Sequence, residues 1–350
     1  MYIASFFIEL FLFDSGPRIL DKPAKVLLLI PLIFLLNAVK INHKLIISSF
    51  IISSFALFCV AIYEKYTLGA ARVGNSINAI QFGAISIAIA AAALALTASV
   101  PHQSLKQKLL LITLTLLSCG GLVAGIFTQS RGSIIAIPII FILLSVLYLK
   151  RENSHKIKAA LIFLLLIAVT GISMNNSSTM ARFEHSYKNA ISFYEGRKTD
   201  TSSGIRLGLW QASIEAGLQS PITGVGYEGY VRYKNEQVKS GRFGKELLRF
   251  DDAHNTYVYS FARRGLIGLV TAITFLGFPI YLGLQAWRKE DHSIAPYAAA
   301  LTAFGSVFVI ANLSQEVILL NTGIIMYTGL LVILTSLLHE RMSAIKSPPD

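Results

Sequence analysis

Charge is what this chain has least of. Only 14% of its 350 residues are Asp, Glu, Lys or Arg, and 54% are hydrophobic. Soluble domains carry about 25% charged residues, so an ordinary soluble domain is excluded. Cysteine is nearly absent too. Cys59 and Cys119 both fall inside apolar stretches, which excludes a disulfide or cysteine-metal framework and leaves two packed thiols. There is no signal-peptide pattern with a cleavage site. No internal repeat is visible, and no Asp-x-Asp sits at the end of an apolar run. The net charge of +12 is no nucleic-acid signature, because the basic residues cluster in short loops between apolar runs, where they signal membrane topology.

What is present is a series of ten apolar runs, at roughly 2–13, 24–39, 45–62, 77–99, 109–127, 133–149, 159–174, 266–286, 294–311 and 321–338. The runs are continuous rather than alternating, so spanning helices are expected and a barrel is not. The first is too short to span as written. Threading back from the C-terminus puts Lys40/Lys44, Lys106/Lys108, the 150–158 cluster, Arg288/Lys289 and Arg341/Lys346 on one face, the cytoplasmic one by the positive-inside bias. Arg72, Arg131, the polar residues 175–253 and His254 then share the opposite face. Arg18, Lys22 and Lys25 fall on that outer face as well, against the bias. The expected organisation is a helix bundle over 1–174, a polar loop over 175–253 and further spans over 254–350.

The polar segment holds 11 Lys and Arg against 9 Asp and Glu. Met180, Phe183, Tyr187, Ile191 and Tyr194 recur at helical spacing, which predicts an amphipathic helix over 178–194 lying on the membrane surface. A second helix is predicted over 205–219, with Ser202 or Ser203 as its N-cap and Leu207, Trp210, Ile214 and Leu218 on one face. Pro221 stops it, and Gly224, Gly226 and Gly229 mark a turn-rich loop. The tract 230–250 reads as charged and mobile. Arg206 would sit in the first turn of the second helix, beside free N–H groups that favour anions.

Four stretches together carry a resemblance. His254-Asn255 is followed after nine residues by Gly265, then by Gly268. Gly204-Ile205-Arg206 leads to Trp210, Pro221 and Gly224-Val225-Gly226. Thr128-Gln129-Ser130-Arg131-Gly132 precedes Ile135, and Arg72 precedes Gly74, Asn78 and Phe82-Gly83. This order resembles the O-antigen ligases and related polymerases of the bacterial cell envelope, over residues 22 to 338. Ile135 stands where the family's Arg-x-x-x-Leu motif has Leu, and Asn78-Ala79 where it has Asn-Pro. The resemblance implies an all-α polytopic bundle with one long, largely helical periplasmic loop. It also implies both termini in the cytoplasm and a location in the bacterial inner membrane. Family members usually have twelve spans; ten keep that parity, with two N-terminal helices missing or shortened here.

The implied reaction moves a glycan from undecaprenyl diphosphate to a sugar hydroxyl of lipid A-core. Its leaving group is an anion, which arginines bind bidentately. Its acceptor hydroxyl must lose a proton, which a neutral His can accept near pH 7. Arg72, Arg131 and Arg206 are the diphosphate candidates and His254 the catalytic candidate. No cofactor and no metal are expected, and the displacement is expected to invert configuration. Each residue also has a structural reading. Arg72 and Arg131 are equally placed to anchor helix ends at headgroups, Arg206 to pair with a loop acid, and His254 to be an ordinary interfacial histidine. Asn255 reads as a helix cap or His-orienting group, and Gly265 and Gly268 as a bend or close-packing site. Arg263 and Arg264, about 14 Å along a helix from His254, read as interfacial anchors. His185, Asp251 and Asp252 are at most supporting residues. The alternatives are an O-antigen polymerase, a ligase with a protein acceptor, and a transporter or flippase.

Overall fold

The computed structural model describes residues 2–13, 16–27, 30–39, 42–74, 77–101, 103–149, 177–194, 201–289 and 291–346. Its helices of more than two turns are α1 (Tyr2–Phe13), α2 (Ile30–Ala38), α3 (His43–Ile62), α4 (Ala79–Thr97), α5 (Leu105–Ser118), α6 (Gly120–Phe127), α7 (Ala136–Leu149), α8 (Ser177–Tyr194), α9 (Ser202–Gln219), α10 (Gly226–Lys239), α11 (Thr256–Trp287), α12 (Ala295–Ala311) and α13 (Asn321–Lys346). No strand occurs among the described residues. Five stretches are long and apolar enough to cross a membrane: His43–Thr67, Ala79–Thr97, Leu105–Phe127, Thr256–Trp287 and Asn321–Ile345. Tyr2–Phe13, Arg131–Val146 and Ala295–Ala311 are shorter apolar helices. The chain is thus a helical membrane protein. The run 159–174 and the basic cluster 150–158 lie outside the described residues. The run 24–39 does not form one helix: α2 starts only at Ile30, with Pro31 in its first turn, where a missing N–H is tolerated.

The chain divides into two compact units. The first comprises 1–27, 174–276 and 312–324; the second comprises 28–173, 277–311 and 325–350.

The second unit is built by small residues. Seventeen residues of α4 are buried, most of them Ala, Ile or Leu, and its main neighbour is α12. Without a solvent-driven hydrophobic effect between helices in lipid, packing comes from close backbone approach. Gly121 of α6 provides it: a Cβ there would stand 2.5 Å from the Ser86 carbonyl oxygen of α4. Ser54 of α3 accepts the Gly121 N–H at 2.9 Å and donates to the Ser118 carbonyl at 2.7 Å.

The first unit surrounds a helical pair. Leu209 and Ala212 of α9 pack with Val238 of α10 and with Phe243 and Leu247 beyond it. The buried stripe of α9 is Gly204, Gly208, Leu209, Ala212, Ser213, Ala216 and Gly217, while Ile214 and Leu218, on the bulkier stripe, are exposed. Small residues let the partner helix come close. One expectation is corrected here. The tract 230–250 is ordered: α10 buries Tyr230, Lys234 and Val238 at four-residue spacing, and Lys234 Nζ donates to the Phe250 carbonyl. The helix expected over 178–194 is present as α8, with Tyr187 70% and Ile191 41% exposed.

Candidate functional site

His254 sits in a turn that ends one residue before α11. Its backbone is left-handed, with φ +51°, a conformation that costs a bulky residue about 1–3 kcal/mol and persists only where its surroundings enforce it. The enforcement comes from Glu316, in the 312–324 stretch. Glu316 Oε1 accepts the N–H groups on both sides of His254, from Ala253 at 2.9 Å and Asn255 at 3.3 Å. Asn312 holds the same turn: it accepts Thr256 N–H at 3.0 Å and the Thr256 hydroxyl at 2.6 Å. Asn255 is buried, and its side chain accepts Tyr257 N–H at 2.9 Å and Val258 N–H at 3.3 Å, capping the helix start.

Asp252 stands behind the imidazole. Its Oδ1 lies 2.8 Å from His254 Nδ1, a contact of charge and proximity rather than an aligned hydrogen bond, and it accepts His254 N–H at 3.3 Å. Phe250 meets the ring edge-on at 4.9 Å. Asp252 and Glu316 also face each other. Burial, and then the Asp252 charge, push Glu316 well above the ordinary carboxylate range. Burial pushes Asp252 up as well, but the contacts with His254 outweigh it and hold Asp252 low. The two carboxyls are thus pushed in opposite directions, Glu316 up and Asp252 down beside His254. The three donor atoms of Asp252, His254 and Glu316 lie within 4.8 Å of one another, close enough to surround a divalent cation. Nothing in the sequence signals the set, because Glu316 is remote in the chain and reads as a lone acid in a turn.

Gly265 and the Pro221–Gly226 loop prove to be two halves of one joint. Gly265 breaks α11 with φ +58° and ψ −151°, and a Cβ there would stand 2.3 Å from the Ile222 carbonyl carbon. Gly224, at φ +70°, presses equally close to the Arg263 carbonyl carbon, at 2.4 Å. Leu266 N–H donates to the Pro221 carbonyl at 2.7 Å, and Val225 N–H to that of Ala262 at 2.9 Å. Only residues without a Cβ permit this approach. Gly268 similarly admits the Ser260 carbonyl, 2.4 Å from where its Cβ would be.

Arg263 and Arg264 are not interfacial anchors. Both are buried, with Arg264 only 1% exposed. Glu9 of α1 receives Arg263 Nε at 2.8 Å and Nη2 at 2.7 Å, and its other oxygen lies 3.8 Å from Arg264 Nη1. Arg264 also covers the Phe6 ring at 3.7 Å. The signal was an acid inside the apolar run 2–13, since such a charge requires a partner.

Arg206 lies on α9, half-buried. The helix begins earlier than expected: Thr201 is the N-cap, its hydroxyl accepting Gly204 N–H at 3.1 Å. Arg206 is therefore in the second turn, beyond the free N–H groups of the first. His185 is exposed on α8. Arg72 and Arg131 belong to the second unit, where the stretches that carry them adjoin. Arg72 Nε donates to the Thr128 carbonyl at 3.0 Å and Val73 N–H to that of Phe127 at 3.3 Å. Arg131 opens a helical turn three residues on, after Gln129 at φ +52°.

Residues 113–273 match the family model described as O-Antigen ligase. A Haemophilus influenzae protein described as "Uncharacterized protein" is 27% identical over 335 residues, covering 93% of this chain and 81% of its own. An Escherichia coli K12 protein described as "O-antigen ligase" is 22% identical over 235 residues, covering 67% of this chain and 53% of its own.

Proposed function

We propose, from the match of residues 113–273 to the O-Antigen ligase family model, that the chain is a membrane glycosyltransferase acting in polysaccharide transfer. Its donor is a glycan on undecaprenyl diphosphate and its acceptor a sugar hydroxyl of lipid A-core, met at the periplasmic face of the inner membrane. The observation that carries this reading is the Asp252 carboxylate 2.8 Å from His254 Nδ1, with Glu316 pinning the turn.

The chemistry follows from that arrangement. The Nδ1 proton faces Asp252, which leaves Nε2 as the basic nitrogen. The acceptor hydroxyl gives its proton to Nε2 as its oxygen attacks the anomeric carbon. The bond from that carbon to the diphosphate oxygen breaks, and the electron pair leaves with the diphosphate. Asp252 stabilises the imidazolium, and Arg206 stabilises the departing anion. One displacement inverts the anomeric carbon. Asn255, Gly265 and Gly268 support the turn and the break in α11.

The test is transfer by purified protein from lipid-linked O-antigen to lipid A-core, read as the high-mass lipopolysaccharide ladder. His254→Ala is expected to lower kcat about 100- to 10,000-fold, and Asp252→Asn about 10- to 100-fold. Wild-type activity retained by His254→Ala would sink the proposal. Longer lipid-linked glycans formed without acceptor would make the chain a polymerase instead.

A further inference from the structure

Arg18, Lys22 and Lys25 are the basic residues that contradict the charge bias of the remaining loops. A membrane protein that places cations on its outer face does so against the bias that orients it, which makes these residues candidates for something other than topology. The structure shows what they adjoin. A cavity of about 370 Å³ in the first unit is lined by Arg18 and Lys22 together with Asp252, Glu316, Arg263 and Tyr227. The cavity is within the range of about 300–1,000 Å³ usual for small-molecule sites.

We propose that this cavity receives the phosphoryl end of the donor, with Arg18 and Lys22 binding its diphosphate. The inference rests on the transferase reading above and adds to its binding residues. Arg18 and Lys22 lie four residues apart on two consecutive helical turns, Pro17–Leu20 and Asp21–Ala24, so their side chains emerge on one side. Both are exposed, and neither takes part in an ion pair among the described residues. Arg263, the other cation on the wall, is already matched by Glu9. The unneutralised positive charge of the cavity is therefore that of Arg18 and Lys22. Lys25 Nζ donates to Asn321 Oδ1, which ties this segment to the stretch that holds Glu316. The acids on the remaining wall, Asp251, Asp252 and Glu316, offer carboxyl oxygens suited to sugar hydroxyls. A cationic side and a carboxyl side around one cavity, beside His254, match a sugar diphosphate, with the phosphates on Arg18 and Lys22.

Phosphoryl groups reach such an enzyme from two sources, the diphosphate of the donor and any phosphates on the core of the acceptor. The experiment separates them. The Arg18→Ala/Lys22→Ala double variant is compared with wild type and with the Arg18→Lys variant, titrating lipid-linked donor and lipid A-core in turn. The expected result is a donor KM raised at least about tenfold, as the loss of one charged hydrogen bond would give. The acceptor KM should be unchanged and Arg18→Lys should restore most of the loss. A raised acceptor KM with an unchanged donor KM would overturn the proposal, and so would no change in either. A second measurement is independent of turnover. Inorganic diphosphate is expected to raise the Tm of wild type and not that of the double variant. A diphosphate-dependent Tm shift in a wild type that transfers nothing would keep the anion site and dismiss the transferase reading. Equal shifts in wild type and double variant would dismiss the site.

Discussion

The two units of this molecule differ in what they mostly bury, although the second also buries Glu64. The second buries alanine, isoleucine and glycine: α4 hides Ala84, Ala88, Ala90 to Ala93 and Ala95 at zero exposure. The first buries Glu9, Arg263, Arg264, Asn255, Asn312, Glu316 and Lys234. An apolar helix needs only close neighbours, and many exchanges of similar volume would satisfy it. A buried charge needs its own partner at the right distance, and losing that partner is costly. The second unit therefore reads as scaffold carrying Arg72 and Arg131, while the first is where the chain spends stability on placement. The left-handed His254 and the broken α11 belong to the same pattern.

The contrast makes predictions of decreasing size. The largest concerns Glu9. Glu9→Ala strands two buried arginines and is expected to cost about 3–5 kcal/mol, seen as a loss of folded protein on size exclusion or a large drop in Tm. An unchanged Tm would mean that this ionic centre does not hold the first unit together.

The next concerns Glu316 and has a sign fixed by its raised pKa. At pH values between the ordinary carboxylate pKa and the raised one, the folded state keeps a proton that the unfolded state has lost. Stability is therefore fully present below the ordinary value and falls as pH rises through this window. Glu316→Gln is expected to flatten that slope in a Tm-against-pH series. Transfer should be largely kept, because the amide oxygen of Gln can still accept from Ala253 N–H and Asn255 N–H and pin the turn. A slope identical to wild type would place the proton elsewhere.

The smallest belongs to the scaffold. Ile87→Val on α4, which deletes one buried methylene, is expected to cost about 0.5–1.5 kcal/mol and to leave the donor and acceptor KM values alone. A large change in either KM would show that the second unit is no passive support.

Much of this was legible in the chain. The helical class follows from long apolar runs, since a helix satisfies its own backbone in lipid. The helices α8 and α9 were visible in their spacing, and the turn at Pro221–Gly226 in its glycines. The residues around His254 were visible as a motif but not as a geometry. Which face α9 buries was not legible, because hydrophobic spacing marks bulk while close packing selects small side chains. The helix starts at Ser202 behind the Thr201 cap, three residues before the expected start, which moves Arg206 out of the first turn.

What the sequence by itself determined is the membrane character of the chain, its helical class and the few residues able to handle a proton or an anion, because these are properties of side chains and of local periodicity. Only the tertiary structure decided that Glu9 answers Arg263, that Glu316 pins the turn of His254 and that Gly265 meets Ile222. Only it, too, placed Arg18 and Lys22 on a cavity shared with Asp252. Each of these joins residues far apart in the chain, and no local spacing encodes which distant partner satisfies a buried charge or a broken helix.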